Sequence, residues 1–202
     1  MAREWKNAIL AGFVIFLFSA AWLYLRRWGA PLSEVYVKLS FSGVAVSGTA
    51  LIAMAYLFGS MAHFWPETWE AKKGLRKYYG LFGFYLIVLH STWGFLYLYP
   101  SFVDLPFILG ILAFLVFSVV AFASLSFVAE RMATSVWLFV QRLGYLALLL
   151  ATVHFALLKW RGWLAFSSWP YFLPPLSLLL FIFVTFVFIM RILTWIQGSK
   201  KS

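Results

Sequence analysis

Residues 106–128 read PFILGILAFLVFSVVAFASLSFV, a run without one ionisable side chain. A bilayer core about 30 Å thick is crossed by roughly 20 apolar residues in a helix, so this stretch is long enough to span it. The pattern recurs along the chain. Apolar stretches over 8–25, 43–64, 78–99, 136–158 and 171–195 likewise lack Asp, Glu or Lys in their central parts. The fold class expected is therefore an all-α integral membrane protein, a bundle of six transmembrane helices forming a single transmembrane domain over 1–202. Composition points the same way, with 64% hydrophobic residues, 11% charged and a mean hydropathy of +0.93. Six spans with their connections fill 202 residues and leave nothing for a soluble catalytic domain.

Punctuation agrees with hydropathy. Pro66, Pro100, Pro106, Pro170, Pro174 and Pro175 fall at or near the ends of the proposed spans, where a missing N–H is cheap to satisfy. With the N-terminus inside, cytoplasmic segments carry Arg3, Lys6, Lys72, Lys73, Arg76, Lys77, Arg131, Lys200 and Lys201, against Arg26, Arg27, Lys38, Lys159 and Arg161 outside. That bias predicts an N-in, C-in topology. The net charge of +10 lies in short clusters between apolar runs, which suits membrane anchoring and not nucleic acid. Without cysteine there is no disulfide, iron–sulfur cluster or thiol chemistry. The first run, 8–25, ends in Arg26-Arg27 with no small-residue cleavage site, so it is expected to stay as the first span and not to be removed as a signal peptide.

A six-helix bundle in lipid needs no histidine, which makes the positions of His63, His90 and His154 informative. His90 lies just past the middle of the third span and His154 in the last third of the fifth. Both spans run the same way, so the two side chains are expected at similar depth in the outer half of the membrane. A histidine pair on facing helices is how a bundle holds a six-coordinate b-type haem, while an isolated intramembrane imidazole often serves only as an interhelical hydrogen-bonding group. Both readings stand at this point. Gly83 and Gly94 lie seven before and four after His90, and Ala147 and Ala151 seven and three before His154. These small residues suit a flat porphyrin or an equally close helix–helix contact. Lys159 and Arg161, just beyond His154, are candidates for haem propionates or for interfacial anchors. His63, beside Trp65 and Pro66, reads as an interfacial residue. Glu130, Arg131, Arg142 and Arg191 all lie toward the inner side, and the midplane lacks the ionisable residues usual in a transporter.

The segments LRKYYGLFGFYLIVLH (75–90) and WLFVQRLGYLALLLATVH (137–154) resemble the ferric-reductase-like transmembrane domain, and within it the MsrQ/YedZ family, haem-binding membrane subunits of the bacterial periplasmic methionine sulfoxide reductase system. The family's third-span pattern is matched by Arg76-Lys77, Gly80 and His90, and its fifth-span pattern by Trp137, Tyr145 and His154. Where the family has a first fifth-span histidine, this chain has Gln141, a poor haem ligand. The resemblance thus implies the outer haem pair, His90 and His154 as axial ligands to the iron, and leaves only His63 and Gln141 as a doubtful second site.

What the resemblance implies for function is a subunit carrying one haem b in the bacterial inner membrane. It would relay electrons from a quinol or flavin donor, supplied by the quinone pool or a flavin reductase, to a periplasmic molybdopterin reductase subunit. The chain itself lacks a GxGxxG fingerprint, a flavoprotein domain or a molybdopterin domain, so substrate chemistry would belong to the partner. The alternatives are a stand-alone ferric or cupric reductase and a cofactor-free assembly factor or permease.

Overall fold

The computed structural model describes residues 2–97 and 104–199. Six long helices account for most of it: α1 (Ala2–Arg26), α2 (Leu32–Phe64), α3 (Leu75–Tyr97), α4 (Leu105–Ala123), α5 (Thr134–Leu164) and α6 (Leu176–Ser199). Each is long and apolar enough to cross a membrane. Side chains such as Leu10, Phe13, Leu115, Phe139 and Ile182 stand half exposed along them, as expected where lipid replaces water as the solvent. The chain runs up and down. The starts of α1, α3 and α5 therefore share one end with the finishes of α2, α4 and α6, the N-terminal end, where the Trp5 and Tyr78 rings meet at 5.4 Å.

Helix α2 is the axis of the bundle. It packs along α3 and α6 and also against α1, while α4 and α5 form a second tight pair. Seven consecutive residues, Ser47 to Ala53, are buried, because small side chains let neighbours close in from every side. The closest approach is Gly48 to Gly83. A Cβ at Gly83 would lie 2.7 Å from the Gly48 carbonyl oxygen, and one at Gly48 would lie 2.9 Å from that of Gly83. Only glycine at both positions permits this crossing. Two of the buried hydroxyls find local acceptors, Ser47 donating to Gly43 O and Thr152 to Leu148 O, whereas Ser60 Oγ on α2 is buried without a partner.

The helix limits differ from the predicted spans in physically explicable ways. Helix α2 begins at Leu32 and not at 43, because Leu32–Lys38 is already helical and joins the apolar run through a π-turn at Leu39–Gly43. Polar Ser33, Glu34, Lys38 and Ser40 disguise this part as a loop. Helix α4 stops at Ala123, five residues short of the predicted 128, where Ser124 folds its hydroxyl back onto Val120 O and Ser126–Ala129 forms a separate turn. Helix α5 extends to Leu164, and α6 waits until after Pro174-Pro175, behind short turns at Phe166–Ser168 and Pro170–Phe172. The predicted end of the third span, at 98–99, and Pro100 lie outside the described residues.

Candidate functional site

Helices α3 and α5, which carry His90 and His154, each lean on other helices and barely touch one another. The two ends of the bundle differ in chemistry.

At the end away from the N-terminus, both histidines are half-buried. Each is pinned through the same ring nitrogen. His90 Nδ1 lies 3.1 Å from Phe41 O on α2, and His154 Nδ1 lies 2.6 Å from Pro106 O in the first turn of α4. A carbonyl oxygen only accepts, so both Nδ1 atoms carry the proton and donate. The neutral ring then presents its lone pair at Nε2. This is the tautomer that metal-bound histidines adopt, with the remote N–H held by a backbone carbonyl.

Local structure explains both acceptors. Phe41 sits within the π-turn, where the regular i→i+4 ladder is broken, and its carbonyl receives the Val44 N–H as well as His90. The Phe41 ring stacks at a tilt on the imidazole, 4.4 Å between centroids. Pro106 opens α4 behind an Asp104 cap that accepts from the Phe107 N–H. The imidazole of His154 then occupies space left by Gly110, where a Cβ would come within 2.9 Å of Nδ1. Nothing in the sequence marks Phe41, Pro106 or Gly110 as partners of the histidines, since two of the three act only through backbone atoms.

The other predicted residues distribute as follows. Gly83 lies against Gly48 at the α2–α3 crossing and so belongs to helix packing at this place in the fold. Gly94 abuts the Phe41 ring, beside His90. Lys159 and Arg161 are exposed beyond His154, with the Arg161 guanidinium over the Trp160 ring at 5.7 Å. His63 is exposed at the N-terminal end of the bundle, far along α2 from Phe41.

Gln141 is also at that N-terminal end. Its amide donates to Ser124 Oγ at 3.0 Å, and its backbone carbonyl accepts from Tyr56 Oη at 3.5 Å. Both Gln141 and His63 line a cavity of about 820 Å³ between α2, α3, α4, α5 and α6, and neither His90 nor His154 does. The rest of its wall combines Ile52, Phe84 and Phe117 with the cations Lys73, Arg76, Lys77, Arg142 and Arg191. The histidine pair and the pair named as a doubtful second site therefore occupy opposite ends of the bundle.

Compared with models of known protein families and with curated proteins, the chain matches none. Its geometry has to carry the functional argument.

Proposed function

We propose that this protein is a b-type haem-binding membrane electron-transfer subunit whose axial ligands are His90 and His154. One observation carries the reading: two imidazoles from different helices each donate Nδ1–H to a backbone carbonyl, which leaves Nε2 of each ring as the atom with a lone pair to offer a metal. The donor set fits the group, since bis-imidazole coordination is the chemistry of a low-spin haem. Haem, when bound, supplies a one-electron carrier. The chain supplies the rest. Phe41 O and Pro106 O fix the rotation of each ring and raise its basicity, Gly110 leaves room for His154, and the surrounding apolar helices exclude water. Lys159 and Arg161 lie at the same end as candidate partners for propionates.

In this reading the N-terminal end is cytoplasmic, in keeping with its excess of Lys and Arg. Electrons enter there from a quinol or flavin donor and leave at the far, periplasmic end of the bacterial inner membrane to a molybdopterin reductase such as methionine sulfoxide reductase. The sequence resemblance in α3 and α5 supports the partner; the bonding of the histidines supports the cofactor.

A second reading has an observation of its own. The same two hydrogen bonds tie α3 to α2 and α5 to α4, which a cofactor-free protein would also use for packing. The visible spectrum of detergent-purified protein, before and after dithionite, separates the two. The haem reading expects a sharp reduced α-band that disappears in both His90→Ala and His154→Ala. A colourless wild type, expressed with ample haem, sinks it in favour of packing.

A further inference from the structure

The N-terminal cavity is lined by three guanidinium groups and by one buried indole N–H that has no acceptor. Arg76 from α3, Arg142 from α5 and Arg191 from α6 line it, and no carboxylate in the described residues pairs with any of them. Arg76 spends its Nε–H on Ala55 O, at 3.1 Å, and lays its guanidinium on Gly59, where a Cβ would lie 3.2 Å from a terminal nitrogen. Arg191 sits over the Tyr145 ring at 5.2 Å. A fourth donor, the indole N–H of Trp137 in the same wall, is buried and has no acceptor. The two flanking lysines differ: Lys73 pairs with Glu70, and Lys77 donates to Ser126 Oγ. Arg142 and Arg191 each lie eight residues from the nearer end of their helix, about 12 Å along the axis.

Three guanidinium groups brought to one cavity from three helices, with no carboxylate among the described residues paired to them, favour a ligand that brings negative oxygens. A neutral quinol ring offers little to three guanidinium groups. A phosphate offers several strong acceptors and a planar fork for each arginine. Deeper in the same cavity, Ile52, Phe84 and Phe117 provide an apolar wall for a hydrocarbon body. Basic pockets between membrane helices are a recurrent form of recognition for acidic lipid headgroups.

We propose that this cavity binds the phosphate of an amphiphile through Arg76, Arg142, Arg191 and Trp137, and that the ligand is an acidic phospholipid of the surrounding leaflet. The site stands apart from the histidine pair and does not rest on haem being present.

The test uses the full chain, delipidated in a neutral detergent. Dioctanoyl phosphatidylglycerol, dioctanoyl phosphatidylcholine and inorganic phosphate are titrated separately, with binding read by native mass spectrometry and by the shift in melting temperature. Phosphatidylglycerol is expected to bind about tenfold more tightly than phosphatidylcholine. Arg142→Gln and Arg191→Gln should each weaken it about fivefold, and Arg131→Gln, a charge change on the same face outside the cavity, should leave it unchanged. Should Arg191→Gln fail to fold, Arg142→Gln decides alone, because its side chain is exposed at the cavity mouth. Equal binding of the two lipids, or affinity indifferent to both arginine variants, overturns the proposal. Inorganic phosphate binding as tightly as phosphatidylglycerol would overturn the lipid as source and assign the arginines to a soluble phosphate. A colourless protein that still selects phosphatidylglycerol would overturn the haem reading and leave this one standing.

Discussion

The two ends of the bundle show opposite chemistry. Away from the N-terminus, His90 and His154 have their N–H groups satisfied by Phe41 O and Pro106 O, and what they have left over is a pair of electron lone pairs. At the N-terminal end, Arg76, Arg142 and Arg191 line a cavity with no carboxylate among the described residues paired to them, and the buried Trp137 indole N–H has no acceptor. A surplus of lone pairs calls for a metal, whereas a surplus of N–H groups calls for an anion. Membrane interiors tolerate few polar groups, so two unlike surpluses a few turns apart are best understood as two sites.

The largest effect is expected at the contact between α2 and α5. Tyr56 reaches from α2 into a notch in α5, its hydroxyl so close to Gly144 that an added Cβ would overlap it, while that hydroxyl also reaches Gln141 O. Gly144→Ala should destabilise the protein by about 3 kcal/mol or more, because Tyr56 is buried and cannot step aside. Thermal unfolding in detergent measures this. Adding Tyr56→Ala should recover part of the loss, and a Gly144→Ala protein as stable as wild type would mean that α2 and α5 do not meet here.

A smaller effect, confined to one end, should follow from Gly110→Ala. The new methyl would press on the His154 ring and push it off Pro106 O, at a cost of about 1–3 kcal/mol. The reduced α-band should weaken or shift while phosphatidylglycerol affinity holds. A change in lipid affinity without a spectral change would reverse the assignment of the two ends. Deleting Ser40 should act on the other proposed ligand, by turning the π-turn into regular helix and withdrawing the Phe41 carbonyl from His90. Haem affinity measured by titration should fall about 10-fold to 100-fold, the usual cost of losing the hydrogen bond behind a metal-bound histidine. Unchanged affinity would make the π-turn incidental.

Hydropathy made the six helices readable in the sequence, because 18 or more apolar residues have few other uses. The helical start of α2 was not readable, since Glu34, Lys38 and two serines imitate a loop and a π-turn has no compositional signature. The histidines announced themselves by rarity, but their acceptors could not, because every residue has a carbonyl. Gly83 shows the limit from the other side: the sequence alone offers a porphyrin cradle and a helix crossing on equal terms, and only the position of Gly48 places it at a crossing. The three cavity arginines were each legible as lying toward one side. Their convergence depends on how α3, α5 and α6 are rotated, which no single helix encodes.

Gln141 offers the smallest and sharpest test, because it stands where the resembling family has a histidine and yet lies in the arginine cavity. Its side chain donates one hydrogen bond, to a Ser124 hydroxyl that is itself anchored on Val120 O. Gln141→Leu keeps the volume and removes that bond, so a loss of only about 1 kcal/mol is expected in thermal unfolding. The backbone carbonyl that receives Tyr56 is unaffected by the change. The reduced spectrum should stay as in wild type, since the cavity is lined by neither His90 nor His154. A displaced α-band in Gln141→Leu would put this residue within reach of the proposed haem, and the two proposed sites would then have to be treated as one.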